Sequence, residues 1–157
     1  MDISVRYAER GELPEINRLR AQVNDVHVSG RPDIFRAGFN EELQNHVYQA
    51  FDSEDSDVIA AVSGGEICGF ATVKYIVKPE SPYSLERRFY QIEEFGVDEQ
   101  HRRRGVATAL IDFCKSEARA KGFDRIELDY WAFNEGAEKF YESVGFRVYR
   151  KYTELMI

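Results

Sequence analysis

The segment Val97–Thr108, Val-Asp-Glu-Gln-His-Arg-Arg-Arg-Gly-Val-Ala-Thr, joins the end of a predicted strand to the start of a predicted helix. Three consecutive arginines precede Gly105, and this glycine gives the turn its backbone freedom. The first amide groups of the helix have no intrahelical acceptor, and the positive end of the helix dipole lies beside them. This combination of positive charge and free amide donors predicts a site for a phosphorylated ligand, and a pyrophosphate is the simplest candidate.

The same segment carries a family signature. Arg102, Gly105 and Ala107 fit the pattern Arg/Gln-x-x-Gly-x-Gly/Ala of the GNAT superfamily of acyl-CoA-dependent N-acetyltransferases, which this chain resembles. Residues 92–97 are similar to the strand that precedes the family's cofactor loop, and residues 134–146 are similar to its second cofactor motif. The short pattern is weak alone, but the three features occur in the family's order and spacing. The specific resemblance covers roughly the C-terminal half of the chain.

The resemblance implies a fold and a cosubstrate. The implied fold is α/β, with a mixed, mostly antiparallel central sheet, helices on both faces, and fourth and fifth strands that splay apart to admit the pantetheine arm. The implied cosubstrate is acetyl-CoA. By position, the family's cofactor-binding residues correspond here to Phe95, Gly96, Val97, Arg102, Arg103, Arg104, Gly105, Val106, Ala107, Thr108, Asn134 and Tyr141.

Two residues of the second motif have alternative roles. Tyr141 matches the family's tyrosine that hydrogen-bonds the CoA sulfur and protonates the departing thiolate, whereas helical periodicity alone predicts a core aromatic with its hydroxyl at the rim. Asn134 matches the asparagine that binds the pantetheine amides, and its position also predicts a helix N-cap. For Asn134 both roles can hold together.

The strand before the arginine loop contains the candidate bases. An amine must lose a proton before it attacks a thioester, and Glu93 or Glu94 would take that proton directly or through water. Neighbouring strand residues point to opposite faces, so only one should enter the acceptor cleft. Glu93 matches the base position of several relatives, and the alternative for either residue is an exposed or ion-paired glutamate. Gly96 predicts a β-bulge, with close packing beneath a bulky neighbour as the alternative.

The rest of the chain alternates strand and helix patterns. The pair Gly64-Gly65 predicts a tight hairpin, and Gly122 is typical of a helix C-terminus. The predicted strands span residues 3–7, 57–63, 66–77 and 89–97, then 125–131, with a closing strand or pair of strands over 146–156. The predicted helices span residues 12–23, 40–51, 105–121 and 135–144.

Two segments are predicted to be irregular and to contribute to the acceptor wall. The first covers residues 24–35, where Gly30 and Pro32 break regular structure, and the second is a surface loop over residues 78–88. His27 and Arg31 lie in the first segment and are either substrate contacts or structural residues.

Composition limits the function classes. The 157 residues are 43% hydrophobic, which suffices for one domain over the whole chain, 1–157. A net charge of -7 argues against general binding of nucleic acid or anionic membrane. The sequence shows no signal peptide and no apolar run of membrane-spanning length, which predicts a cytoplasmic protein.

Cys68 and Cys114 are predicted to be buried thiols, with no disulfide, no metal site and no ping-pong role.

The sequence thus predicts acetyl transfer from acetyl-CoA to a primary amine by direct attack in a ternary complex. The main alternative is an acyl-CoA-binding regulatory or interaction module without turnover. A site for ATP or NAD is less consistent with the sequence, because it contains neither the Gly-x-x-x-x-Gly-Lys-Ser/Thr loop nor the Gly-x-Gly-x-x-Gly fingerprint. The acidic balance favours a cationic acceptor, from small amines to aminoglycosides or protein amines. Residues 146–152 either pair across the two-fold axis of a homodimer or form an internal strand.

Overall fold

The computed structural model describes residues 2–157. A five-stranded sheet has the order β1-β2-β3-β4-β5, with the first three pairings antiparallel and the last parallel. The strands are β1 (Ile3–Tyr7), β2 (Ser56–Ser63), β3 (Glu66–Lys78), β4 (Arg87–Val97) and β5 (Ile126–Glu127). The helices are α1 (Leu13–Gly30), α2 (Glu41–Asp52), α3 (Val106–Ala120) and α4 (Glu135–Ser143). The predicted α/β fold with a mostly antiparallel sheet is confirmed.

Helices cover both faces of the sheet. On one face, Leu110 and Cys114 of α3 pack with Ile92 of β4 in a buried cluster. On the other face, Leu13 and Ile16 of α1 join a second buried cluster together with α2. These two faces are called the α3 face and the α1–α2 face below. Within residues 2–157, no helix is both long enough and apolar enough to cross a membrane.

The β2–β3 hairpin follows its local sequence signal. Gly64 and Gly65 have φ angles of 58° and 79°, in the left-handed region that a tight two-residue turn requires. The predicted strands on either side form, and the predicted loop after β3 shortens to residues 79–86 because β3 and β4 extend further along each other.

The fourth and fifth strands separate, as the resemblance implied. Tyr90 pairs with Ile126 and Gln91 with Glu127, and the parallel ladder ends there. Because β4 continues to Val97 without β5 beside it, the strands open into a gap. The predicted strand over 125–131 was therefore wrong in length: only two of its residues find a partner on β4.

Helix α1 corrects the prediction for residues 24–35. Helix α1 runs to Gly30, because no glycine or proline interrupts it earlier, and the amide of Arg31 still bonds the carbonyl of His27 at 2.8 Å. Gly30 also allows a close approach, since a Cβ atom there would lie 2.2 Å from Cε1 of Phe133. Gly30 and Pro32 therefore mark the end of a longer helix, and the irregular segment begins only at residue 31 and runs to residue 40.

The prediction of a closing strand over 146–156 was also wrong. The chain after α4 has no assigned strand, although its aromatic and aliphatic residues suit one. A strand needs a partner, and the two-residue β5 offers too short an edge. Large apolar side chains of the segment are exposed: Val148, Tyr149, Tyr152, Leu155, Met156 and Ile157.

Gly96 is explained by close packing and not by the predicted bulge. It pairs with Phe70 in regular register, and a Cβ atom at Gly96 would lie 2.8 Å from Cε1 of Phe70. The same atom would lie 2.7 Å from Cγ2 of Val23. The absent side chain therefore lets α1 pack closely on the end of β4.

The variant Gly96→Ala is expected to lower the free energy of unfolding by about 1–3 kcal/mol, because the added methyl overpacks Val23 and Phe70. Urea denaturation measures the change. Gly136→Ala is the control, since its Cβ atom would have Asn134 Oδ1 at 3.8 Å as nearest neighbour and alanine favours a helix. Equal stability of the two variants would contradict the packing explanation.

Candidate functional site

The irregularity of β4 lies at Glu93. Thr72 of β3 pairs with Glu94, but the next residue, Val73, pairs with Ile92, so Glu93 is an extra residue opposite a continuous strand. A bulge of this kind shifts the alternation of side chains by one position. Ile92 thus faces the α3 cluster, while Glu93 and Glu94 both face the α1–α2 side.

This position of the bulge corrects the expectation that Glu93 and Glu94 point to opposite faces of the sheet. A cleft of about 540 Å³ lies on the α1–α2 face, and both Glu93 and Glu94 line it. Arg20, His46 and Lys74 contribute further polar groups to its wall. Two successive carboxylates therefore line one open space near the β4–β5 gap.

Glu94 is held by a buried arginine. Nε of Arg20 donates to Oε1 of Glu94 at 2.8 Å, and Nη2 donates to Oε2 at 3.0 Å. The side chain of Arg20 is only 4% exposed and also donates to Oδ1 of Asn17 and the carbonyl of Leu43. Such a two-pronged pair fixes the position of the carboxylate in the wall.

Glu93 has a looser partner. Its carboxylate lies 3.1 Å from Nζ of Lys74, and both side chains are partly exposed, at 36% and 45%. An exposed ion pair of one lysine and one carboxylate is weak and exchanges readily with water. Glu93 is therefore held by fewer contacts than Glu94, which accepts two hydrogen bonds from Arg20.

The predicted phosphate loop has free donors and unpaired charge. Gly105, the residue immediately before α3, has a φ of 84°, and Arg103 also has a positive φ of 62°. The side chains of Arg102, Arg103 and Arg104 are exposed and have no ion-pair or hydrogen-bond partner anywhere in residues 2–157. Three unpaired arginines in an acidic chain, beside free helix amides, form a site of positive potential.

The first turn of α3 packs closely against β3. The side chain of Val106 is buried, and Gly69 of β3 leaves room for it, since a Cβ atom there would lie 2.7 Å from Cγ1 of Val106. Only the backbone of Val106 can face a ligand in the loop. Ala107 is partly exposed and Thr108 is exposed, so the outer side of the turn is open.

Tyr141 lies beside the gap and is 8% exposed. Its ring packs against Phe95 of β4 at 6.0 Å between centroids and against Tyr130 at 5.7 Å. Burial, with a smaller contribution from Asp129, raises the pKa of Tyr141 to about 12, so the hydroxyl keeps its proton near neutral pH. The hydroxyl has no hydrogen-bond partner within residues 2–157, which leaves it free to donate to a ligand.

Asn134 is a helix N-cap, as predicted. Its side-chain oxygen accepts a hydrogen bond from the amide of Ala137 at 3.1 Å.

The two cysteines are free and buried, and burial raises the pKa of Cys114 to about 11, so both predictions of buried thiols are confirmed. His27 stacks on Phe35, and Arg31 forms ion pairs with two carboxylates.

The sequence analysis missed Arg20, Lys74 and Asp129. Arg20 carried a signal, since it lies four residues after Ile16 on the apolar stripe of a predicted helix. A charged residue at a core-facing position is informative because burial of its charge requires a partner.

The structure thus has a loop of three unpaired arginines before α3, an open gap between β4 and β5, and a protonated tyrosine packed on Phe95 of β4. A family model described as the Acetyltransferase (GNAT) family matches residues 25–146. The chain belongs to the GNAT family. The match extends well upstream of the segments that carry the sequence signature.

Curated relatives of this GNAT chain include two N-acetyltransferases. The probable N-acetyltransferase family 8 member 5 of Mus musculus is 33% identical over 97 residues, which are 62% of this chain and 41% of that protein. N-acetyltransferase 8 of Homo sapiens is 32% identical over 69 residues, or 44% and 30% of the two chains. The chain spans less than half the length of the curated relatives it matches.

Solved structures match over almost the full chain. The tetramutant of the BH1408 protein from Bacillus halodurans has a TM-score of 0.93 and 31% identity, and the match covers 98% of this chain and 99% of that one. The aminoglycoside acetyltransferase AAC(6')-Iy, in complex with a bisubstrate analogue, has a TM-score of 0.78 at 17% identity. The match covers 100% of this chain and 99% of that one. The second likeness shows that the two proteins share the GNAT fold.

Proposed function

We propose that this GNAT chain transfers the acetyl group of acetyl-CoA to a primary amine by direct attack in a ternary complex. The observation that carries the proposal is the position of Tyr141. Its ring, which carries a neutral hydroxyl without a partner in residues 2–157, packs against Phe95, where β4 runs beside the gap and leads to the arginine loop. A phosphate loop alone would serve any nucleotide ligand, whereas a proton donor at the gap suits a leaving thiolate.

The residues present fit acetyl-CoA. Arg102–Arg104 and the first amides of α3 would hold the pyrophosphate, because their charge has no partner among the described residues. The β4 backbone from Phe95 to Val97 would pair with the pantetheine arm, since β5 leaves that edge of the strand open. The side-chain NH₂ of Asn134 stays available to a pantetheine carbonyl while its oxygen caps α4. Acetyl-CoA supplies the acetyl group as an activated thioester.

The chain's own groups would then perform three tasks. A carboxylate in the cleft takes a proton from the bound ammonium, which leaves a neutral amine. The amine nitrogen forms a bond to the acetyl carbon as the carbon–sulfur bond breaks, and amides of the open β4 edge stabilise the negative charge on the oxygen. Tyr141 donates its proton to the departing sulfur, so that CoA leaves as the thiol, and the nitrogen gives its extra proton back to the Tyr141 oxygen, directly or through water, so that the amide leaves neutral. Holding both substrates in one gap supplies proximity and orientation.

Glu93 is the proposed base, acting directly or through water, because its pair with Lys74 is exposed and loose. Glu93→Gln is expected to lower kcat about 100-fold at neutral pH, and a rise in pH should recover part of the loss as more amine becomes neutral. Glu94→Gln is expected chiefly to lower stability, since it leaves the buried Arg20 without its carboxylate. The pH profile of kcat/KM and thermal melting distinguish the two variants. A larger loss of kcat in Glu94→Gln than in Glu93→Gln would contradict this choice.

The proposed function is tested by CoA release from acetyl-CoA with a panel of primary amines, measured with a thiol reagent, alongside calorimetric titration of acetyl-CoA. Amine-dependent release supports the transferase. Tight binding of acetyl-CoA without release by any amine would contradict it and indicate a regulatory binding module. Absence of acetyl-CoA binding would contradict the assignment of the loop itself.

A further inference from the structure

The residues that follow β5 alternate between two sides of the gap. The ring of Tyr130 stacks on Tyr141 at 5.7 Å, on the side of α4. The ring of Trp131 contacts Phe35, which follows α1, at 5.0 Å. Tyr130 and Trp131 thus point in opposite directions, and the same alternation continued to the preceding residue puts Asp129 on the side of Trp131. Asp129 thus faces the segment after α1, the predicted acceptor wall.

Four rings form a continuous surface on that side. His27 stacks on Phe35 at 4.9 Å, and Trp131 stacks on Phe133 at 6.3 Å. Edge contacts join the two pairs, at 5.0 Å between Phe35 and Trp131 and at 6.4 Å between His27 and Phe133. All four side chains are partly exposed. These four residues are called the aromatic wall below.

The carboxylates near the gap differ in their partners. Glu93 is paired with Lys74 and Glu94 with Arg20. Asp129 is exposed and has no ion pair or hydrogen bond with any residue in the range 2–157. One negative charge therefore remains for a ligand on this side of the gap.

The charge of Asp129 acts on both the aromatic wall and the proposed acid. Burial is the main cause that raises the pKa of Tyr141, and the charge of Asp129 adds to it. Burial lowers the pKa of His27, while Glu94 and Asp129 act in the opposite direction. Asp129 is thus within electrostatic reach of both the wall and Tyr141.

We propose that the acceptor is a primary amine with a single positive charge on a flat, largely apolar carbon skeleton. Its ammonium binds at Asp129 and its skeleton lies on the aromatic wall, and Glu93 takes the proton of this ammonium through water, since Asp129 is not among the residues that line the cleft. Ring faces attract both flat apolar groups and cations, which suits this combination. A polycation would bring several charges to a region where the other two carboxylates already have cationic partners. This assignment rests on the proposed function, which it deepens by naming the substrate class.

Binding is measurable without turnover because Trp131 is the chain's one tryptophan. Titration with 2-phenylethylamine is expected to change its fluorescence in a saturable way, with weaker binding of butylamine and of spermidine. Asp129→Asn should raise the Kd for 2-phenylethylamine about tenfold and leave acetyl-CoA affinity unchanged. Asp124→Asn is the matched control, because Asp124 is also exposed and without a partner in residues 2–157 but lies beyond the end of α3.

A second variant tests the wall by turnover. Trp131→Leu should raise KM for 2-phenylethylamine about tenfold while changing KM for butylamine little, because only the first amine covers the ring. Tighter binding of spermidine than of 2-phenylethylamine, or equal affinities in Asp129→Asn and Asp124→Asn, would overturn the assignment. Amine-dependent CoA release in that case would leave the proposed function standing. Binding at Asp129 without CoA release by any amine would instead support the site and contradict the transferase.

Discussion

Tyr141→Phe is expected to lower kcat for acetyl transfer about 100-fold, with an unchanged Kd for acetyl-CoA. The variant removes only the hydroxyl, whose raised pKa of about 12 keeps it protonated as a donor to the leaving sulfur. Packing is preserved, because the ring still contacts Phe95 and Tyr130. The hydroxyl has no partner within the described chain, so stability should not fall with the loss of a hydrogen bond.

Tyr130→Phe is the matched control for this effect, since Tyr130 stacks on Tyr141 and loses the same atom. Steady-state CoA release, calorimetry with acetyl-CoA and thermal melting are measured for both variants. The control should retain wild-type kcat. Equal activities in the two variants, with acetyl-CoA still bound, would rule out a proton-donating role for Tyr141 and leave it as a packing residue.

Replacement of Arg102, Arg103 and Arg104 together by glutamine is expected to weaken acetyl-CoA binding about 100-fold. These arginines have no partner elsewhere in residues 2–157, so their full charge is available to the phosphates of the ligand. Charge-assisted hydrogen bonds to phosphate are stronger than neutral ones, and several act together here. Folding should be little affected, because all three side chains are exposed.

The control is a triple variant of the same charge loss, in which glutamine replaces Arg119, Arg147 and Lys151. These residues are exposed and also have no ion pair with any residue of the described range. Calorimetric titration at several KCl concentrations separates local binding from the general field. Acetyl-CoA affinity should fall with salt in the wild type and much less in the loop variant. Similar Kd values for the two triple variants would contradict the loop assignment.

The features predicted correctly from the sequence are those set by neighbours along the chain. The turn at Gly64-Gly65, the helix start after Gly105 and the cap at Asn134 each depend on a few adjacent residues. The amphipathic pattern of α3 likewise determines which of its sides is buried. Local signals of this kind also located the arginine loop and Tyr141, because the family motif consists of contiguous residues.

The features that escaped prediction depend on residues far apart in the sequence. Gly96 looked like a bulge because its packing partner Val23, on α1, is not apparent from β4 alone. The ion pair between Arg20 and Glu94 spans 74 residues, and no local pattern indicates it. The closing strand was predicted from composition, which reports the tendency of a segment to be extended but not the presence of a neighbouring edge.

The extra residue in β4 has a consequence for how this chain can vary in length. Substitution at position 93 changes one side chain, but deletion would restore regular alternation along the strand. Glu94 would still face the α1–α2 side and Phe95 would still lie beside Tyr141, because the deletion removes only the residue that has no partner on β3. The extra residue therefore adds a second carboxylate to the cleft without changing how the rest of β4 pairs, and a chain without it would keep the strand but lose the proposed base.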